Sequence, residues 1–93
     1  MTNIDDVKIL KALRASSAPC TDTLGAKVLT FCSSPPEIEM EFMALNEFTH
    51  SDGKVVQGGF VTGMLDAPMA HLLMGLFNFQ VIPMTLDLSL IHI

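Results

Sequence analysis

Residues 59–76 read as a helix that is apolar almost all the way round, so no stripe is left for solvent. A helix of that kind belongs inside a fold rather than on its surface. With 93 residues, one domain at most is expected, so the other elements exist to cover this one. The chain is 49% hydrophobic and only 16% charged, with a mean hydropathy of +0.46. That is much apolar surface for a domain whose size lets it bury only a modest share. The expectation is that a partner subunit covers some of it, or that part of the native domain lies outside the sequence.

Charge and cysteine usage narrow the class. A net charge of −5 argues against nucleic acid, because phosphate binding needs clustered Lys and Arg. The basic residues Lys8, Lys11, Arg14, Lys27 and Lys54 form no run. Cys20 and Cys32 make no CxxC motif and have no ligand-spaced His, so reduced thiols in a cytoplasmic protein are expected. Asp5 and Asp6 within an amphipathic pattern are unlike a signal peptide. The apolar run Leu72 to Ile82 falls short of the roughly twenty residues a membrane span needs. Gln57, Asp66 and His71 interrupt any longer window, so a soluble protein with no membrane partner is expected.

Periodicity predicts the remaining elements. Ile4, Val7, Leu10 and Leu13 recur at near-helical spacing, giving a helix within residues 1–15 that Thr2 or Asn3 caps. Residues 16–23 (SSAPCTDT) read as a loop. Residues 26–46 read as a strand pair around the Ser33-Ser34-Pro35-Pro36 turn, with Ile38, Met40 and Phe42 on one face and Glu37, Glu39 and Glu41 on the other. Residues 49–54 form a loop, and Pro68 should bend the long helix. Residues 84–93 read as a last strand, with Leu86, Leu88 and Leu90 alternating with Thr85, Asp87 and Ser89. The tight turn favours an antiparallel sheet around the apolar helix over a parallel βαβ unit. The predicted class is α+β.

Chemistry concentrates where the helix begins. In Val56-Gln57-Gly58-Gly59-Phe60, the glycine pair leaves backbone N–H groups bare at the positive end of the helix. Those amides can bind a developing oxyanion or polarise a carbonyl; glycines are also common as plain turn residues. Asp66 lies seven residues past Gly59, on nearly the same face but ~10 Å further along the axis. One carbonyl cannot touch both groups of one helix, so a joint role needs Asp66 from a second copy alongside. The alternative is an Asp bonded to a buried loop or facing a wet groove. His50 is a loop histidine ahead of Gly58, His71 points away from Asp66, and His92 sits near the end. No pair has zinc-ligand spacing, so no metal is expected. Neither a G-x-S-x-G elbow nor a Walker loop is present.

These residues give a family resemblance. The chain resembles the hotdog-fold acyl-CoA thioesterases of the phenylacetate-degradation type, within the 4-hydroxybenzoyl-CoA thioesterase superfamily. The match covers roughly Ala18 to Leu90. It rests on Leu24-Gly25, His50-Ser51-Asp52-Gly53, the Val56 to Phe60 motif with Met64-Leu65-Asp66, and Thr85 to Leu90. The resemblance implies an antiparallel sheet curled around a central helix, in homodimers or homotetramers with shared sites. It implies that Gly58, with Gly59, donates to the thioester carbonyl and that Asp66 of a neighbouring subunit attacks or activates water. His50, Gln57 and Thr85 fall at substrate-binding positions, with Thr85 near that water. Coenzyme A is then part of the substrate, and no separate cofactor is needed. Relatives continue past Leu90 with an aromatic residue, Arg-Pro and two more strands, so the expected domain lacks its last strands. The expected function is hydrolysis of acyl-CoA to free acid and CoA. The alternatives are a non-catalytic interaction module, or dehydration or hydration of an acyl thioester with His50.

Overall fold

Residues 4–15 and 18–89 are described by a computed structural model of the chain. Helix α1 (Ile4–Ala15) is followed by a short helix α2 (Pro19–Thr23). A hairpin comes next, β1 (Ala26–Ser33) and β2 (Pro36–Phe42), then a 3-10 turn at Asn46–Phe48. A second, two-rung hairpin pairs β3 (Thr49–His50) with β4 (Val55–Val56), and the long helix α3 (Gly58–Leu76) follows. The α+β class therefore holds, with two separate two-stranded antiparallel sheets rather than one sheet wrapped around α3.

The residues predicted as a loop at 16–23 contain α2; Ser16 and Ser17 themselves lie outside the described residues. Two punctuation residues make this helix. Pro19 takes the first turn, where its missing N–H is no loss. Gly25, at φ +69°, ends it in the left-handed conformation that an L side chain resists. The same turn fixes where the first sheet begins, since Ala26 pairs with Phe42. No β1 residue remains to pair beyond Phe42, so the strand pair stops there, short of the predicted residue 46.

The core is small. Leu13, Val28 and Phe31 are buried together, with Ile9, Leu10, Ile38, Met40, Leu72 and Leu76 packed around them. Val28 and Phe31 are three apart, yet both face inward because Leu29 is an extra residue between the Val28–Met40 and Thr30–Glu39 pairs. Arg14 secures that bulge: Nε donates to the Val28 carbonyl at 2.9 Å and Nη2 to the Leu29 carbonyl at 3.2 Å. At the other end of α1, Asp6 is buried and its Oδ2 accepts the Ser33 N–H at 3.1 Å. In β2 the alternation is as predicted, with Ile38, Met40 and Phe42 half-buried between exposed glutamates.

Helix α3 matches its predicted span to within a residue and runs through Pro68. It is not enclosed. Only His71 and Gly75 are buried, while Leu65, Met69 and Leu73 stay more than two-fifths exposed. One hairpin and α1 cover one side, and four strands in two small sheets are too few to surround a helix. The helix ends in a paired-bond cap. Asn78 takes the left-handed position usually held by Gly; its N–H bonds to Gly75, and that of Phe79 to Met74. The chain then doubles back along α3. Residues 84–89 form no strand, since they pair with neither of the two sheets. The predicted residues Leu90 to Ile93 and the caps Thr2 and Asn3 lie outside the described residues. Among the described residues, no helix is long and apolar enough to cross a membrane.

Candidate functional site

The start of α3 is held by a small local unit. The Phe48 and Phe60 rings stack with centroids 4.5 Å apart. The Phe48 carbonyl accepts the Gln57 N–H at 2.7 Å. These contacts fix the chain entering the helix to the turn that precedes β3. Gln57 is the N-cap, and its Oε1 accepts the Gly59 N–H at 2.7 Å. The Phe60 and Val61 N–H groups both reach the Gln57 carbonyl. The amide at the first helical position, Gly58, is thus the open one. Space around it is also open, since a Cβ there would meet nothing within 4 Å. The expected pair of glycine donors becomes one: Gly59 belongs to the cap, and Gln57 is occupied as its acceptor.

Asp66 lies two turns down α3, half-buried. The returning segment brings the Thr85 hydroxyl onto it, donating to Oδ1. Two residues nineteen apart in sequence therefore meet, and both were candidates from sequence. Asp66 also borders an apolar cavity of about 320 Å³ between α2 and α3, walled by Leu24, Ala67, Ala70 and Met74. On the far side of Thr85 a second cavity of about 430 Å³ runs between α3 and the segment at Pro83 to Asp87.

His50 is exposed at the end of β3, its Nδ1 bonded to the Ser51 hydroxyl at 2.8 Å. The β3–β4 hairpin and β4 carry it close in sequence to Gly58, but no side-chain contact joins it to Gln57, Asp66 or Thr85. Gly58 and Asp66 stand eight residues apart on one continuous helix, an axial separation of ~12 Å. The single chain thus brings Asp66 to Thr85 and Gly59 to Gln57, and leaves the Gly58 amide apart from the carboxylate.

Two residues at this cavity had no weight in the sequence. His71, expected to point away from Asp66, lines the same cavity. Gly63, Ala67, Ala70 and Met74 form its floor along one face of α3, and Asp66 and His71 flank that face on opposite sides. Thr21 sits across from them on α2, in the stretch read as loop. The Pro19-to-Gly25 spacing was the signal that could have placed it. Among the described residues, no group of three or more His, Cys, Asp or Glu is arranged to hold a metal ion. No protein-family model, curated protein or solved structure matches the chain.

Proposed function

We propose that this chain is part of a hotdog-type thioesterase that hydrolyses acyl-CoA thioesters, with each active site shared between two copies. The observation that carries the reading is Asp66: a carboxylate on an otherwise apolar helix, bordering an apolar cavity and bonded by the Thr85 hydroxyl. A carboxylate so placed has a reason to be there, because burial beside apolar walls is costly. The Gly58 amide supports the same chemistry. It has no partner among the described residues, lies at the positive end of a 19-residue helix, and is surrounded by space a carbonyl oxygen can enter.

In this reading the thioester carbonyl of an acyl-CoA accepts from the Gly58 N–H of one copy. Asp66 of the other copy takes a proton from a water that attacks the carbonyl carbon, or attacks it directly to give an anhydride that water then cleaves; in either case the C–S bond breaks and CoA leaves, protonated to its thiol. Thr85 orients the carboxylate, and Gln57 holds the helix end in register by capping Gly59. The acyl chain lies along the apolar cavity beside Asp66. Antiparallel pairing of two α3 helices covers the bare Leu65, Met69 and Leu73 stripe and supplies the second carboxylate.

Asp66→Asn keeps size and hydrogen bonding to Thr85 but removes the base. Turnover of a panel of acyl-CoA esters should fall on the order of 10²–10⁴-fold while the circular dichroism spectrum stays unchanged. Full turnover in that variant removes Asp66 from the mechanism. Absence of turnover in folded wild-type protein removes the reaction. The exposed α3 stripe favours one second reading, an interaction module without chemistry. It is distinguished by self-association of folded protein that hydrolyses none of the panel.

A further inference from the structure

A cavity of about 440 Å³ lies where α1, α2, the β1–β2 hairpin and α3 meet, sharing Thr21 and His71 with the cavity beside Asp66. Its volume is in the ~300–1,000 Å³ range of small-molecule pockets. Its wall combines three kinds of group. Leu13, Val28 and Met40 make an apolar floor; Arg14 and Lys27 bring two of the five cations of an acidic chain; His71 and Thr21 complete it. No Asp or Glu lines it.

His71 and Thr21 are the informative pair, 6% and 7% exposed. The His71 Nδ1 lies 2.7 Å from the Ala67 carbonyl. A carbonyl can only accept, so Nδ1 carries a proton, and with a single proton on the ring Nε2 is an acceptor. Neither Nε2 nor the Thr21 hydroxyl bonds to a described residue, and both atoms keep access to the open cavity instead of being sealed in the core. Arg14 spends Nε and one Nη2 proton on the β1 bulge, leaving three further N–H donors.

We propose that this cavity binds a small aliphatic carboxylate that also carries a hydroxyl group. The carboxylate meets Arg14 and Lys27, which no acid in the wall neutralises. The hydroxyl donates to His71 Nε2 and accepts from Thr21. The hydrocarbon chain lies on Leu13, Val28 and Met40. The site contains none of Gly58, Asp66 and Thr85, although Thr21 and His71 also line the cavity beside Asp66, so binding here is read by titration and not by turnover.

Calorimetric titration of the full chain with three matched probes tests it: 3-hydroxyhexanoate, hexanoate and 3-hydroxyhexanamide. The hydroxy acid should bind saturably at one site. Hexanoate should bind about 5- to 10-fold more weakly, because it leaves His71 and Thr21 unsatisfied. The neutral amide should lose tenfold or more, for want of the charge-assisted bonds. Lys27→Gln, on an exposed strand position, should weaken the acid and leave the amide unchanged. Failure of the hydroxy acid to saturate overturns the site. Equal affinity for acid and amide overturns the role of the cations, and equal affinity for the two acids overturns that of His71 and Thr21.

Discussion

Gly75 shows how one missing side chain sets the distance between α3 and the hairpin. A Cβ there would sit 2.5 Å from the edge of the Phe31 ring and 3.0 Å from Ile9 Cγ2. Phe31 is almost fully buried and cannot step aside. Helix propensity alone would favour Gly75→Ala by about 1 kcal/mol. Overpacking of this kind costs about 1–3 kcal/mol and should win, lowering the urea midpoint. A raised midpoint would show that the helix and hairpin can separate cheaply. Gly58 is the opposite case. It occupies the first helical position, and Gln57 before it is extended at φ −63° and ψ 137°. Proline fits both conditions and lacks only the N–H. Gly58→Pro should therefore keep the fold and hold or raise the thermal midpoint, by about 0.4–1 kcal/mol for a change at a compatible site. It should abolish acyl-CoA hydrolysis. Undiminished hydrolysis in folded Gly58→Pro protein would show that this amide does not touch the substrate.

Arg14 joins two elements and has no substitute. Its guanidinium reaches two carbonyls of β1 around the Leu29 bulge, at 2.9 and 3.2 Å. Arg14→Ala should destabilise by about 1–2 kcal/mol, the scale of charged hydrogen bonds discounted for partial exposure. Arg14→Lys should recover little of it, because a point ammonium cannot match the fork; full recovery in urea unfolding would reduce the contact to charge alone. Element positions were legible where the pattern was strong. The glycine-led start of α3 gave its span closely, while alternation placed β2 but carried it four residues too far, to 46 instead of Phe42. The Asp66–Thr85 contact joins two residues the sequence singled out separately, although the segment carrying Thr85 is not the strand its alternation implied. Alternation records which side chains could share a face, and a strand forms only where a neighbour supplies the ladder. The bulge left no mark in composition, and the apolar ring of α3 recorded a capacity for burial that this single chain does not fulfil. The occupation of Gly59 by Gln57 was hidden because glutamine is an uncommon cap.

At the scale of the molecule, surface is in excess. The chain exposes 6744 Å² against roughly 5,300 Å² for a compact monomer of its mass. Its radius of gyration is 14.3 Å, where about 12 Å is usual for this length. The surplus is of the size one partner buries in a stable interface, about 800 Å² or more. Much of it is apolar, along Leu65, Met69 and Leu73 and the returning segment at Ile82, Met84 and Leu86. In the proposed dimer, pairing through α3 would hide that stripe and let a carboxylate of one copy reach the Gly58 amide of the other, which its own Asp66, ~12 Å along the helix, does not. Mixing two inactive proteins, Gly58→Pro and Asp66→Asn, under conditions where subunits exchange tests this directly. Each mixed dimer holds one site with both groups damaged and one with both intact. Hydrolysis should return to about a quarter of the wild-type rate, since random exchange makes half the dimers mixed and restores one site in each. A mixture that exchanges subunits yet stays as inactive as its two components contradicts a site built from two copies.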